Sequence, residues 1–373
     1  MKTDVVVVGG GIVGKTAAIE LAKSGAHVSV VDLGINAGSD ANAGSLHVQM
    51  QSRFMRLYPD QVPNIEASLS LYCDAIEEWK RLQADIGSFD LVQKAGLMIA
   101  EDDDQMAFLE KKVEREITKG VSAEILDRSG LEKIAPWLGS DIVGGELCRN
   151  EGKVNPLLAN VRLRARAEAL GVRFVKDKVL AISVSDHVEA HGAAGSYRCD
   201  QILLAAAWGV NELVSGFGFS IPSKAEPLHM NITENCSARL DHLVQHAERS
   251  ITLKQSVSGQ IVIGGGWPAR SRGLDQVPEV KRSSLLGNIA LAARLVPSIG
   301  HLRIIRTWAG MNTTNDGASI IGRLAGNPRL FIAVPGDAGY TLGPLVAQMA
   351  VAGMLGNKSF DEDPRYSPAR FAA

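Results

Sequence analysis

Residues 4–14 read DVVVVGGGIVG, so that an acid and four valines run directly into a cluster of glycines. This pattern predicts a buried strand that ends in a tight turn. A helical pattern follows over residues 16–23, and a second apolar strand over residues 26–31 leads into Asp32. Strand, Gly-x-Gly-x-x-Gly turn, helix and acid-terminated strand, in this order, predict the βαβ unit that binds dinucleotides.

The three glycines of the motif have different roles. Gly9 permits the tight turn, Gly11 lets the backbone approach a pyrophosphate, and Gly14 allows the helix to pack closely on the strand. The pyrophosphate would lie at the helix N-terminus, where unpaired N–H groups and the helix dipole favour negative charge. Asp32 is placed to accept hydrogen bonds from the hydroxyls of the adenosine ribose.

A second interpretation of the same residues is a P-loop. Residues 9–16 match Gly-x-x-x-x-Gly-Lys-Thr, with Lys15 and Thr16 in the phosphate and magnesium positions. Gly11 and the acid at the end of the next strand have no role in a P-loop, and no later apolar run ending in an acid resembles a metal-binding strand. The dinucleotide interpretation is therefore favoured, and Lys15 is predicted to face solvent in the first helical turn.

Composition excludes several classes of function. The chain has 373 residues, 46% hydrophobic and 21% charged, with a net charge of −2. This is enough for two globular domains and gives no reason to expect nucleic acid or an anionic membrane surface as partner. No secretory signal, membrane-spanning run or Cys-x-x-Cys pair occurs, which predicts a cytoplasmic protein with reduced thiols and no metal site. His242 and His246 are four residues apart, a spacing more typical of a solvated helix face than of metal ligands.

The rest of the chain predicts a second type of sheet. Helices are predicted over residues 65–82, 105–119, 155–170, 283–295 and 345–355, and strands over residues 46–51, 172–175, 201–209, 228–233, 260–266 and 331–334. The strands at 228–233 and 260–266 have no crossover helix between them and therefore predict an antiparallel sheet in a separate lobe. The glycine-rich turn after residues 331–334 opens the last helix and places a second helix N-terminus beside a ligand.

Taken together, these segments resemble the D-amino-acid oxidase and glycine oxidase superfamily of FAD enzymes. The matching pieces occur in the family's order: the Gly9–Gly14 unit, Asn42-Ala43-Gly44, the strand 203–209, Trp308-Ala309-Gly310, Asp316-Gly317, Ile321-Gly322 and the run 339–344. The resemblance implies an α/β plus α+β fold with a discontinuous Rossmann-like FAD domain, residues 1–45, 146–222 and 305–373. Residues 46–145 and 223–304 would form a smaller substrate domain built on an antiparallel sheet.

The resemblance also implies which residues contact FAD. They are Gly9, Gly11, Ile12, Val13, Gly14, Asp32, Asn42, Ala43, Gly44, Ser45, Leu46, Val179, Ala206, Trp208, Gly209, Trp308, Gly310, Gly336, Gly339, Tyr340, Thr341 and Leu342. The flavin is expected to be non-covalent, because the chain lacks the histidine or cysteine that covalent relatives use. Asp32 replaces the glutamate of many relatives and by itself would also suit NAD.

Within the superfamily, residues 42–49 (NAGSLHVQ) resemble the flavin subunits of multi-subunit bacterial enzymes, the opine oxidases above all. This implies a second, larger subunit and often a small iron–sulfur chain, with peripheral attachment to the inner membrane through those partners as an alternative to a purely cytoplasmic location. The implied reaction oxidises the secondary amine of an opine such as octopine or nopaline to an imine, which water splits into an amino acid such as arginine and a 2-oxo acid. The alternatives are a D-amino-acid, glycine, proline or hydroxyproline dehydrogenase or oxidase, and a flavin subunit that only relays electrons.

Two departures from the family bear on the chemistry. Glycine-oxidase-like relatives hold the substrate carboxylate with an arginine shortly after Trp-Ala-Gly, where residues 311–313 here read Met-Asn-Thr. Monomeric sarcosine oxidases place a lysine over the flavin on the strand that corresponds to residues 260–264, and this strand has none. The second departure favours a dehydrogenase over a true oxidase.

The candidate catalytic residues are two arginines and two histidines. An amine gives up a hydride only when its nitrogen lone pair is free, so the site must favour the neutral amine and must also bind a carboxylate. Arg53 and Arg306 are the candidates for the carboxylate, although either could instead form a structural ion pair. His47 is predicted to line the flavin face or to relay a proton, with packing as the alternative, and His229 lies on a predicted strand of the substrate lobe.

Overall fold

The computed structural model describes residues 3–356 and 363–372. The strands are β1 Val5–Val8, β2 Val28–Asp32, β3 Ser45–Leu46, β4 Gly96–Ala100, β5 Ala123–Asp127, β6 Gly144–Cys148, β7 Gly152–Lys153, β8 Arg173–Lys176, β9 Val179–Val184, β10 Val188–Gly192, β11 Ser196–Cys199, β12 Gln201–Leu204, β13 Lys224–Asn235, β14 Leu243–His246, β15 Thr252–Gln255, β16 Gln260–Gly264, β17 Ile304–Thr314, β18 Ile320–Leu324 and β19 Asn327–Val334. The helices are α1 Ile12–Lys23, α2 Ser52–Leu57, α3 Val62–Ala67, α4 Leu69–Ile86, α5 Asp103–Ile117, α6 Arg128–Ile134, α7 Pro156–Ala169, α8 Val210–Val214, α9 Arg282–Leu295 and α10 Gly339–Met354. Among the helices of these residues, none has the length and apolar character needed to cross a membrane.

The first sheet contains the predicted βαβ unit. It has six strands in the order β18-β19-β12-β1-β2-β8, of which those from β19 to β8 run parallel. The valines of β1 are at most 5% exposed, as expected of a strand that is covered on both faces. Helices α1 and α10 pack on one face, and α8 with the β9–β11 sheet packs on the other. The Rossmann-like domain is therefore confirmed, although β12 ends at Leu204, short of the predicted residue 209.

The second sheet is the predicted separate lobe. It has eight strands in the order β17-β13-β16-β15-β14-β4-β6-β5, and all neighbours are antiparallel except β14 and β4. The long strands β13 and β17 pair from Lys224–Thr314 to Thr233–Ile304. One face of the sheet packs on α6 and α9. Leu228 and Met230 of β13 line a cavity together with Val8 and Asp32 of the first sheet.

The division of the chain into two domains stays a proposal, and two of its boundaries cut through the second sheet. The boundary between residues 145 and 146 divides β6, which pairs with β4 and β5. The boundary between residues 304 and 305 assigns β17 to the FAD domain, whereas β17 pairs with β13 over its whole length. By sheet membership, the FAD domain would resume only after Cys148 and after Thr314.

The predicted strand over residues 46–51 is wrong beyond its first residue. Only Ser45–Leu46 pair with another strand, β7, and helix α2 begins at Ser52. The reason is that buried carboxylates accept hydrogen bonds from the backbone N–H groups of this segment. Glu151 accepts the Val48 N–H at 2.9 Å and Glu116 accepts the Met50 N–H at 2.6 Å, so no neighbouring strand is needed to satisfy them.

Two predictions about single side chains are also wrong. Lys15 is only 8% exposed, because the loop that carries Asp40 covers this part of α1, and its Nζ lies 3.5 Å from Asp40 Oδ1. His246 does not lie on a helix face: it is a buried residue of β14, with Nε2 3.3 Å from Glu101 Oε2. Across the described residues, no group of three or more His, Cys, Asp or Glu side chains is arranged to hold a metal ion.

Candidate active site

The glycine-rich turn has the close packing that its sequence predicts. Gly9 has φ +107°, and a Cβ at this position would lie 2.3 Å from the Ala205 carbonyl oxygen. A Cβ on Gly14 would lie 1.9 Å from the Gly9 oxygen. Gly11 is the N-cap of α1 and has no side chain to occupy the space at the helix N-terminus. The turn therefore lets a pyrophosphate approach the backbone at the start of α1, where the Ile12 N–H donates to Ser39 Oγ at 2.8 Å.

A cavity of about 270 Å³ extends from Asp32 past this turn to Tyr340 in the first turn of α10. Fourteen of the predicted FAD contacts line it: Gly9, Gly11, Ile12, Val13, Asp32, Asn42, Val179, Ala206, Trp208, Gly209, Gly310, Gly336, Gly339 and Tyr340. The other eight flank these residues in sequence: Gly14, Ala43, Gly44, Ser45, Leu46, Trp308, Thr341 and Leu342. Trp308 does not line the cavity itself, but its Nε1 donates to the backbone carbonyl of Ala41, which does, at 2.9 Å.

Asp32 already has two backbone partners. Its Oδ2 accepts the Gly10 N–H at 2.7 Å and its Oδ1 accepts the Gly34 N–H at 2.7 Å. The carboxylate thus ties the glycine-rich turn to the end of β2 while it lines the cavity. A carboxylate has about four lone-pair directions, so acceptor capacity is left for ribose hydroxyls.

A polar cluster adjoins the cavity; it comprises His47, Arg53, Tyr58, Glu226, Asn312 and Asp337. Arg53 Nη2 donates to Glu226 Oε1 at 2.6 Å, and Asn312 Nδ2 donates to Glu226 Oε2 at 3.2 Å. Asn312 also lines the cavity and so connects it to the cluster. Burial raises the pKa of Asp337 to about 6, against smaller lowering effects of the Ala338 N–H, His47 and Arg53.

A buried acid, Glu151, lies beside the ring of His47. Its side chain is 12% exposed, and its Nδ1 lies 3.6 Å from Oε1 of the fully buried Glu151. Glu151 also accepts Gln49 Nε2 at 2.9 Å. The segment around His47 is thus fixed by one carboxylate that contacts both its backbone and its side chains.

A second buried network supports the same segment. Lys112 Nζ lies 2.8 Å from Glu116 Oε1 and 2.6 Å from Glu146 Oε2, and all three side chains are fully buried. Burial by itself would lower the pKa of Lys112, but Glu116 and Glu146 outweigh it and hold that pKa above its usual range. Glu116 is the residue that accepts the Met50 N–H. Sequence reasoning missed this network, because α5 shows only a mixture of charges.

None of the four predicted catalytic residues lines the cavity: His47 and Arg53 belong to the adjoining polar cluster, whereas His229 and Arg306 do not. His229 is fully buried on β13, and its neighbours Leu228 and Met230 line the cavity. Since side chains alternate along a strand, His229 points to the opposite face of the sheet, and burial lowers its pKa. Arg306 is exposed on β17, the edge strand, with its guanidinium 5.6 Å from the Trp308 ring centroid. The prediction that His229 faces the site is therefore wrong, and of the two arginines Arg53 is the better placed.

Comparison with known proteins decides the family. The model of the DAO family, described as FAD dependent oxidoreductase, matches residues 4–352. The chain belongs to this family. The opine oxidase B subunit of Agrobacterium tumefaciens (strain Ach5) is 27% identical to this DAO-family chain, and the match covers 100% of the chain and 98% of the relative. Glycine oxidase of Bacillus licheniformis is also 27% identical, with coverage of 95% and 93%.

Solved structures show the same fold. The crystal structure of glycine oxidase from Geobacillus kaustophilus has a TM-score of 0.84 at 20% identity, covering 98% of both chains. That of L-proline dehydrogenase from P. horikoshii has a TM-score of 0.80 at 23% identity, covering 99% of this chain and 98% of the other. The chain is thus an FAD-dependent oxidoreductase of the DAO family that acts on CH–NH donors.

The cavity suits FAD on its own geometry. The N-termini of α1 and α10 both face it, and neither N-cap residue supplies a side-chain hydrogen bond, although Ser39 Oγ accepts the Ile12 N–H of α1 at 2.8 Å. The first is beside the glycine-rich turn, whose lack of side chains suits the pyrophosphate. The second would offer to the flavin the main chain of Gly339 and Tyr340, which line the cavity, and the helix dipole there would favour negative charge on the reduced ring. FAD supplies the redox chemistry when bound, and the polar cluster is left to bind and orient the substrate.

The raised pKa of Asp337 predicts a pH-dependent stability. The pKa is about 6 in the folded protein against an ordinary 3.8, so the folded form binds this proton more tightly than the unfolded form. Stability is therefore lost as pH rises from 3.8 to about 6 and stays lower above that pH. Asparagine at this position cannot ionise, so Asp337→Asn does not lose stability over this pH range. Relative to wild type, we expect the free energy of unfolding of this variant to rise by about 1–2 kcal/mol between roughly pH 5 and 8. Urea unfolding of the FAD-free protein at both pH values measures this; an advantage that does not change with pH would contradict the assigned environment.

Proposed function

We propose that this chain is the FAD subunit of a heteromeric enzyme that oxidises the secondary amine of an opine of the octopine or nopaline class. The observation that carries the proposal is the end-to-end similarity to opine oxidase B subunits, at 26% and 27% identity over the whole chain. The product imine is hydrolysed to an amino acid, such as arginine, and a 2-oxo acid. A second, larger subunit and an iron–sulfur chain would carry the electrons away, in the cytoplasm or at the inner membrane.

The composition of the polar cluster supports a substrate with several charges. Arg53 can bind a carboxylate by exchanging its partner Glu226 for the substrate, and the two acids Glu226 and Asp337 offer sites for cations. Octopine and nopaline carry a guanidinium in addition to the secondary amine and the carboxylates. Glycine has no such additional cationic group. A cluster with two acids and one arginine therefore suits an opine better than it suits glycine.

The stretch after Trp308 supports the same choice. In glycine-oxidase-like relatives an arginine there holds the substrate carboxylate, whereas in this chain Asn312 occupies the cavity wall and donates to Glu226. A substrate carboxylate bound at this position, as in those relatives, would have no arginine to pair with. The substrate carboxylate is therefore expected to sit nearer Arg53, on α2.

The experiment is an anaerobic titration of the FAD-loaded complex, purified with its partner subunits, with octopine, nopaline, D-proline and glycine. Reduction of the flavin bleaches its band near ~450 nm. Bleaching by an opine supports the proposal. Bleaching by glycine or D-proline alone would favour the second candidate, a D-amino-acid, glycine or proline dehydrogenase, for which the similarity to glycine oxidases speaks.

Arg53 gives this experiment a discriminating variant. We expect Arg53→Met to lower the second-order rate constant of flavin reduction by the opine by about 10–100-fold, the cost of a lost charged hydrogen bond. Arg56→Met, one turn later on α2 and exposed, is the matched control and should behave as wild type. If Arg53→Met leaves turnover by the complex unchanged, the flavin of this chain only relays electrons and the proposed site is wrong.

A further inference from the structure

Glu226 lies on the face of β13 that forms part of the cavity wall. Leu228 and Met230 follow it at alternate positions of the same strand, and both line the cavity. Because side chains alternate along a strand, Glu226 shares their face, whereas the buried His229 is on the other. The strand register agrees, since Glu226 is directly opposite Asn312 of β17, which also lines the cavity. The backbone thus places the Glu226 carboxylate at the edge of the cavity.

Each oxygen of this carboxylate has one hydrogen-bond donor. Oε1 accepts Arg53 Nη2 at 2.6 Å, and Oε2 accepts Asn312 Nδ2 at 3.2 Å. A carboxylate can accept about four hydrogen bonds, so both oxygens keep capacity for a further donor. The side chains of Glu226 and Arg53 are 22% and 15% exposed, so neither is closed off from the solvent. The acid is therefore open to a further ligand from the cavity.

The charges of the polar cluster leave a place for a cation. Glu226 and Asp337 are two acids beside one arginine, Arg53, which is the proposed partner of the substrate carboxylate. When a carboxylate pairs with Arg53, Glu226 loses its cation and lies beside a second negative charge. The two negative charges repel, and a partly buried acid without a partner is unfavourable. A substrate that also brings a positive group to Glu226 avoids this loss.

We propose that Glu226, oriented by Asn312, binds the guanidinium of the substrate and so determines which amines the enzyme accepts. A planar guanidinium offers pairs of N–H donors that match the two oxygens of a carboxylate. Substrate binding is then an exchange of partners, in which each member of the Arg53–Glu226 pair takes an oppositely charged group of the substrate. The inference rests on the proposed function and names the residue that selects its substrate.

The test compares octopine with alanopine, the analogue that contains alanine in place of arginine. Both carry a secondary amine and two carboxylates, but only octopine has a guanidinium. Anaerobic stopped-flow reduction of the FAD-loaded complex, purified with its partner subunits, gives a second-order rate constant for each compound. In wild type, we expect octopine to react about 10–100-fold faster, the effect of one charged hydrogen-bonded pair.

In Glu226→Gln, this preference should be lost because octopine reacts more slowly. Alanopine should react at least as fast as with wild type, since no acid then repels the carboxylate that approaches Arg53. A purely structural role predicts a different result: if Glu226 only held Arg53 in place, the variant would slow both compounds alike. An unchanged flavin spectrum shows that the variant is folded.

Two further variants complete the comparison. Asn312→Ala keeps the acid but removes the amide that orients it, and it should reduce the preference for octopine by about 3–10-fold. Glu234→Gln is the matched control, because Glu234 is on the same strand and pairs with Arg303 at 2.7 Å but lies outside the cavity lining. This control should keep the wild-type preference.

The outcomes separate this inference from the proposed function. Equal rates for the two compounds in wild type, or a preference for octopine that survives Glu226→Gln, would overturn the role of Glu226 and leave opine oxidation intact. A parallel loss of both rates in that variant would also overturn it. If neither compound reduces the flavin of wild type, the proposed function is wrong and this inference with it.

Discussion

Replacing Lys112 by methionine is expected to lower the free energy of unfolding by about 3–5 kcal/mol. Lys112 is fully buried between Glu116 and Glu146, at 2.8 and 2.6 Å. Methionine fills a similar volume but leaves two acids without their cation in a site closed to water. Burial already raises the pKa of Glu146 well above its usual range, so protonation of this acid will recover part of the loss. Urea unfolding followed by circular dichroism gives the difference.

Lys80→Met is the matched control for this prediction. Lys80 forms an ion pair of 2.7 Å with Glu77 on α4, but both side chains are largely exposed. An exposed pair contributes only about 0–1 kcal/mol, so this variant should unfold nearly as wild type does. A loss of less than about 1 kcal/mol for Lys112→Met would mean that the two acids are neutral and that the network is held by hydrogen bonds alone.

The Lys112 network also shows why part of the site could not be predicted from sequence. The Gly9–Gly14 turn was predictable because every residue that defines it is local. The segment 46–51 was not: its alternating pattern indicates a strand, yet its N–H groups bond Glu116 and Glu151, which are 66 and 103 positions away. Nothing in the local sequence reports a carboxylate brought in from such a distance.

The catalytic candidates show a second limit of prediction from sequence, namely which side chains meet at the site. His229 was chosen for its strand, but a shift of one residue decides which face of a sheet a side chain occupies. The register of β13 against β17 places Leu228 and Met230 toward the cavity and His229 away from it. The sequence did not indicate Asp337 and Glu226, because only tertiary contacts bring them beside Arg53 and His47. The position of Asp337 in a glycine-rich turn was the one available signal.

Gly14→Ala is expected to abolish tight FAD binding. The added Cβ would lie 1.9 Å from the Gly9 oxygen and 3.3 Å from Val7 Cγ1. The backbone of Gly9 cannot easily move away from this Cβ. Its N–H donates to the Val31 carbonyl at 2.9 Å, and its Cα faces the Ala205 carbonyl. Either α1 moves away from β1 or the turn distorts, and both displace the backbone that faces the pyrophosphate. Overpacking of about 3 kcal/mol corresponds to roughly a 100-fold loss of FAD affinity.

Titration of the FAD-free protein with FAD, followed by quenching of flavin fluorescence, measures this loss. Gly216→Ala is the control, because its added Cβ would meet no atom within 4 Å and its φ is not in the left-handed region. Circular dichroism separates a displaced turn from an unfolded chain, since in the former case α1 and the sheet keep their signal. Wild-type affinity in Gly14→Ala would mean that the start of α1 does not hold the pyrophosphate.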